Sequence, residues 1–320
     1  MLEKRIFLGL KIVLGLAFAV FMILFLYEAS EYMRSESHYE KLRASVLESD
    51  GLVYTESGEV SGEGSDADDS EGMDEETDDG SDAEGGTEDG DSIYAGNASG
   101  SGEAAAGKQT SDFTEADIRQ RRQALTAEAK KLSVDFAALK GTNPHCIGWI
   151  SIPGINLSYP VVQGQDNEYY LDHNFDGRKS SAGCIFLEKV STADLNDYNS
   201  FIYGHNMKNG SMFGSLKKYV RDASVFEKNP SFYVYTEEGM RVYDIYSYYI
   251  TPPDSDTYVI TANKEDYRVF QERVKSLSVR DCRTVVDTDR PTLTLSTCSG
   301  SGENKQRLVI HGILSESFSR

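Results

Sequence analysis

The chain has 320 residues, with 52 acidic and 32 basic side chains and a formal net charge of −20. The imbalance is local: residues 44–107 hold 20 Asp and Glu and no Lys or Arg, and the remainder is charge-balanced. A nucleic-acid partner would want a basic face, and the composition argues against one.

At the N-terminus, residues 1–5 precede a run that is apolar from Ile12 to Tyr27. Extended back to Ile6, residues 6–27 are interrupted only by Lys11, whose stem can snorkel toward headgroups. A helix needs about 20 apolar residues to cross a bilayer. Lys4, Arg5 and Lys11 lie at the start, and Glu28 and Glu31 follow the run. The positive flank places the N-terminus in the cytoplasm and the bulk of the chain outside the cell membrane, in single-pass topology. Tyr27-Glu28-Ala29-Ser30 is a poor cleavage site, which favours an uncleaved signal-anchor over a signal peptide.

Residues 28–111 read as a juxtamembrane segment followed by an acidic Gly/Ser-rich spacer. Stretches such as Ser61-Gly62-Glu63-Gly64-Ser65-Asp66 offer few large apolar residues. They cannot bury enough surface to offset the entropy of ordering, so a disordered, self-repelling spacer is expected.

From Asp112 onward about 210 residues remain, enough for one domain with a full core. Thr114–Leu139 predicts a single amphipathic helix, with Ile118, Leu125, Leu132, Phe136 and Leu139 at helical spacing. Thr114 with Asp117 three residues on makes a start, and Gly141 and Pro144 an end. Short strands rich in Tyr, Val and Ile follow: Ile147–Ile152, Ser158–Val162, Cys184–Leu187, Ser200–Tyr203, Phe232–Thr236, Arg241–Ile250, Thr292–Thr297 and Arg307–Leu314. Lys264–Leu277 interrupts them as one helix. Many short strands with a few helices suggest a closed or nearly closed β-barrel, because closure removes exposed edges.

Four cysteines are present. Cys146 and Cys184 sit in apolar surroundings and read as small buried hydrophobes. The surroundings of Cys282 decide nothing. Cys298 ends the strand Thr292-Leu-Thr-Leu-Ser-Thr-Cys, before Ser299-Gly300-Ser301-Gly302. Alternation puts Leu293 and Leu295 on one face, and Thr294, Ser296 and Cys298 on the other. Such a thiol is either inert or a nucleophile. A nucleophile would need a proton-transfer partner and a donor for the oxyanion. Among the five histidines, His205 repeats the pattern of a strand followed by a Gly- and Asn-rich loop; His38, His145, His173 and His311 do not. Arg307 opens the strand after the Cys298 loop, where a hairpin-like return would bring its guanidinium near the cysteine. On position alone Arg307 could equally be a surface residue.

Tyr203-Gly-His205-Asn-Met, Thr294-Leu-Ser-Thr-Cys298 and Arg307-Leu-Val-Ile together resemble the catalytic signature of the sortases. Ile147-Gly-Trp149-Ile-Ser-Ile-Pro153-Gly, Tyr159-Pro-Val-Val-Gln163-Gly, Asp166-Asn167-Glu-Tyr-Tyr-Leu171, Gly183-Cys-Ile-Phe-Leu and Ser211-Met-Phe-Gly-Ser-Leu resemble the class B members in particular. The resemblance implies a mainly β fold with a few helices, an eight-stranded sortase-type β-barrel over 143–320 preceded by an N-terminal helix over 112–142. It implies a membrane-anchored cysteine transpeptidase, without a cofactor or metal, acting on secreted proteins at an NPxTx-like sorting signal. Cys298 would form a thioester after the threonine, Arg307 would stabilise the oxyanion and His205 would shuttle the proton. The acceptor would be an amine of a peptidoglycan precursor or cross-bridge in a Gram-positive cell wall. Asn167, Leu171, Ser296 and Tyr258 would line the sorting-signal groove. The chain departs from the family at Ser299, where an acidic residue is frequent, and at Cys184, where serine is common.

Three other readings stay open on sequence. A pilin-polymerising sortase would use a lysine acceptor but usually carries a lid with an aromatic anchor, and no such motif lies between Thr110 and Asn143. A hydrolase would use the same three residues with water. A non-catalytic surface-binding barrel on an acidic stalk would need none of them.

Overall fold

The computed structural model describes residues 2–49, 53–54, 60–61, 114–299 and 306–319. The chain opens with a long helix α1 (Leu2–Val46) and a short strand β1 (Leu47–Ser49). A two-residue pair follows, β2 (Val53–Tyr54) with β3 (Val60–Ser61). The rest of the acidic segment lies outside the described residues, and with it the expected spacer.

The predicted helix over Thr114–Leu139 is two helices with a strand between them. α2 (Glu115–Ala129) starts as expected, because Thr114 and Asp117 form a capping box. It stops at Lys130, and β4 (Leu132–Val134) turns Leu132 and Val134 inward. Asp135 then caps α3 (Phe136–Thr142) by accepting from the Ala138 N–H at 2.9 Å. The interruption has a long-range cause: β4 pairs antiparallel with β1, Leu47 opposite Val134. The apolar residues that suggest one helical stripe serve two helices and a strand.

Eight strands close into a barrel: β5 (Cys146–Ile152), β6 (Leu157–Val162), β7 (Ile185–Leu187), β8 (Asn199–Tyr203), β9 (Ser231–Thr236), β10 (Gly239–Thr251), β11 (Thr292–Ser299) and β12 (Gln306–Ser319). Their order around the barrel is β10-β12-β11-β8-β7-β6-β5-β9. The β6–β7 and β8–β11 pairs are parallel and the others antiparallel. Each predicted strand is one of these eight. The interior is apolar, with Trp149, Ile202, Phe232, Leu295 and Ile310 fully buried. Two short helices, α4 (Lys218–Arg221) and α5 (Ala223–Lys228), precede β9. The predicted helix near the C-terminus is α6 (Lys264–Ser276), capped by Asn263. It packs outside the barrel over Tyr246, Tyr249, Val309 and Ile313.

The end of α1 belongs to this folded body. Tyr39, Leu42 and Val46 are buried, and the Tyr39 hydroxyl donates to the Gly183 carbonyl at 2.7 Å. Arg43 donates to the Ser158 carbonyl at 2.8 Å and lies 4.6 Å over the Tyr159 ring. Nearer the start of α1, Val13, Leu14, Leu16, Phe18, Val20, Phe21 and residues 23–27 are exposed. Among the described residues no helix is long and apolar enough to cross a membrane. The expected span over 6–27 includes side chains outside the description, those of residues 6–10 and Ile12.

Candidate active site

Three neighbouring strands bring the sequence-predicted chemistry to one edge of the barrel. β8 runs parallel to β11, with Tyr203 level with Ser296, and the Gly204 N–H donates to the Ser296 carbonyl at 3.2 Å. Two residues further along each chain are His205 and Cys298. On the other side of β11, the antiparallel register sets Cys298 directly opposite Arg307. Partners across such a ladder lie about 5 Å apart at Cα. The Cys298 side chain and residues 300–305 lie outside the described residues; the backbone positions are set by strand register.

The turn into His205 is shaped by packing. A Cβ on Gly204 would come within 2.7 Å of the Phe213 ring, so only glycine lets the chain pass there. The Phe213 N–H returns to the His205 carbonyl at 3.0 Å. Met212, buried, takes φ of +52°, a conformation costly for a side chain and held by its N–H bond to the Tyr159 hydroxyl at 3.0 Å. Nε2 of His205 lies 2.7 Å from the Leu171 carbonyl oxygen. A carbonyl can only accept, so Nε2 carries the hydrogen and Nδ1 is left to take or give a proton. The backbone carbonyl of Leu171 thus does for His205 what a carboxylate does in many nucleophile–imidazole pairs, orienting the ring and fixing its tautomer.

Beside these residues lies a groove of about 370 Å³. Its lining includes His205, Arg307 and all four residues expected to bind the sorting signal, Asn167, Leu171, Ser296 and Tyr258. The Tyr258 hydroxyl sits 2.8 Å from Ser296 Oγ. The sequence reading missed Phe186, Tyr203, Pro253 and Thr297, which also line it. Tyr203 could have been found, since it stands two residues before His205. Its hydroxyl donates to Glu188 at 3.0 Å, and burial together with the Glu188 charge pushes its phenol far above the usual range. Thr297 Oγ1 is buried with no hydrogen-bond partner among the described residues.

The other candidates are elsewhere. Cys146, Cys184 and Cys282 are buried free thiols. Burial pushes Cys146 up to about 11, and Cys184 and Cys282 up to about 12, so none is a ready thiolate. His311 is buried between Thr294 and Tyr249. His145 bonds Tyr170, His173 stacks on Tyr169, and His38 faces Asp176. A larger cavity of about 440 Å³, between β4, β9 and the end of β12, is lined by residues such as Lys130, Phe136, Tyr235 and Phe318. Its lining holds no Cys, His, Asp or Glu.

The sortase domain model matches residues 150–315. Sortase B of Listeria monocytogenes is 35% identical over 180 residues, covering 55% of this chain and 72% of the relative. Sortase B of Staphylococcus aureus is 29% identical over 197 residues, covering 60% and 80%. Among solved structures, Clostridium perfringens sortase B superposes with a TM-score of 0.54 at 31% identity, covering 57% of this chain and 100% of that one. A Staphylococcus aureus sortase B–substrate complex gives 0.54 at 26% identity, covering 63% and 94%. With its closed eight-stranded barrel and its strand edge bearing His205, Cys298 and Arg307, the chain belongs to the sortase family of cysteine transpeptidases and is sortase B-like.

Proposed function

We propose that this chain is a membrane-anchored transpeptidase acting outside the cell on an NPxTx-like sorting signal. The carrying observation is the strand register that pairs Cys298 with Arg307 and sets Tyr203 level with Ser296, two residues before His205 and Cys298, beside a groove lined by His205 and Arg307. The Cys298 thiolate attacks the carbonyl of the threonine, and the Arg307 guanidinium stabilises the oxyanion. Collapse breaks the C–N bond, and protonated His205 gives its proton to the departing amine, leaving a thioester. An incoming peptidoglycan amine then loses a proton to His205 and displaces the sulfur, releasing the thiolate. Asn167, Leu171, Ser296 and Tyr258 hold the signal. A sortase B complexed with its substrate is among the structures this chain resembles, which supports a peptide as the occupant. The anchor reading rests on the apolar run ending at Tyr27, its exposed side chains and the basic residues near its start.

The test is incubation of the protein with an Asn-Pro-Gln-Thr-Asn peptide, with and without an amine acceptor. The expected result is an amine-dependent transfer product and a thioester on Cys298 detected by mass spectrometry. Cys298→Ala, and separately His205→Ala, abolish cleavage while the fold persists. Full activity in either variant overturns the mechanism, and a product indifferent to the amine makes the chain a hydrolase.

A further inference from the structure

Glu188 follows β7 and is not among the groove's lining, yet it touches two residues that are. Its carboxylate accepts from the Asn167 side-chain amide and from the Tyr203 hydroxyl, the latter at 3.0 Å. Its own backbone is fixed on both sides. The N–H donates to the Phe201 carbonyl at 2.8 Å, and the carbonyl accepts from Gln163 Nε2 at 3.1 Å. The carboxylate is therefore held by the barrel and not by the loop that carries Asn167.

The second contact of Asn167 decides the direction of its amide. Asn167 Oδ1 accepts from the Lys189 N–H at 2.9 Å. A backbone N–H only donates and a carboxylate only accepts, so oxygen must face Lys189 and nitrogen must face Glu188. One N–H of the nitrogen is spent on Glu188. The other has no hydrogen-bond partner among the described residues, and Asn167 lines the groove.

We infer that Glu188 is a positioning residue that locks the Asn167 amide so that its remaining N–H donates to an acceptor oxygen of the bound peptide. This rests on the peptide-transferring reading above. Without the carboxylate the amide keeps only the Lys189 N–H as its anchor, so its remaining N–H is aimed less firmly at the acceptor. Glutamine at 188 keeps the volume but adds a donor of its own, so it no longer reinforces the orientation that the Lys189 N–H favours.

The experiment is steady-state kinetics with the Asn-Pro-Gln-Thr-Asn peptide and an amine acceptor, for the parent, Glu188→Gln, Asn167→Ala and the double variant. Glu188→Gln is expected to raise KM about tenfold, the scale of one lost hydrogen bond, with kcat within about twofold. Asn167→Ala removes the amide that Glu188 orients. In that background Glu188→Gln should change KM by less than about twofold, because the two residues act as one unit. A parental KM in Glu188→Gln overturns the inference, as does an undiminished Glu188→Gln effect on top of Asn167→Ala. Thermal melting of each variant separates these outcomes from loss of fold. A parent protein that does not turn over the peptide overturns the underlying functional reading and this inference with it. A working parent with a silent Glu188→Gln overturns this inference alone.

Discussion

Burial decides what each titratable side chain of this barrel can do. His311 on β12 is fully buried, and desolvation lowers its pKa to about 3. In the unfolded chain an imidazole titrates near 6.5. Between those values the unfolded state binds a proton that the folded state refuses. The stability His311 confers is therefore complete above about pH 6.5 and falls as pH drops toward 3, by at most about 1.4 kcal/mol per pH unit. Thermal melts from pH 7 to 4 should show this slope, and His311→Gln should flatten it; an unchanged slope would remove His311 as the cause. The cysteines offer a second residue-level prediction. With Cys146, Cys184 and Cys282 buried and their thiols raised, brief alkylation of the native protein at pH 8 should give one adduct, at Cys298. Cys298→Ala should give none, and the denatured parent all four; rapid native labelling of a second cysteine contradicts the burial argument. The site itself was partly legible in the sequence. His205, Cys298 and Arg307 each sit in a contiguous motif beside a strand end. Glu188 does not, because an acidic residue after a short strand looks like any solvated one. Its role comes from contacts with residues 15 and 21 positions away, which only the fold brings together.

Among the elements, all eight strands were readable because local composition and pairing agree. β12 runs on to Ser319, beyond its predicted end, because β10 begins at Gly239 and continues the ladder to that point. β4 was not readable, since its partner β1 is more than eighty positions earlier in the chain, across the acidic segment. The loop after α6 depends on another long-range contact. Arg280 pairs with Glu227 of α5 at 3.0 Å, with both side chains under 10% exposed, and also donates to the Ala223 carbonyl at 2.6 Å. Removing one partner of such a pair strands a buried charge, at a cost of about 3–5 kcal/mol. Glu227→Ala should lower stability by that amount in chemical denaturation. Glu227→Leu combined with Arg280→Met should recover most of it, because no charge is then left unpaired. A Glu227→Ala protein within about 0.5 kcal/mol of the parent would show that the pair is solvated in practice.

At the scale of the whole molecule, the helix that begins at the N-terminus does not hand over to a free linker. Residues 39–49, which run into the start of the acidic segment, add three buried side chains and a strand to the folded body. The described chain on both sides of residues 62–107 is tied to the same domain through the β1–β4 pair and the packing of α1. An insertion closed in this way costs the fold little, because loop-closure entropy grows only slowly with length. The residues before it should matter much more than those within it. Full burial of a large apolar side chain stabilises by about 1.5–3 kcal/mol, and Tyr39, Leu42 and Val46 supply three. A protein beginning at residue 33 should thus melt more than about 5 °C above one beginning at residue 112, given about 2–4 °C per kcal/mol for a domain of this size. Deleting residues 62–107 from the longer protein should shift its melting by less than about 2 °C, since that deletion touches neither anchor point. Equal melting temperatures for the proteins starting at 33 and 112 would mean that the end of α1 rests on the barrel without stabilising it. A large loss on deleting 62–107 would mean that the acidic segment itself carries contacts the domain needs.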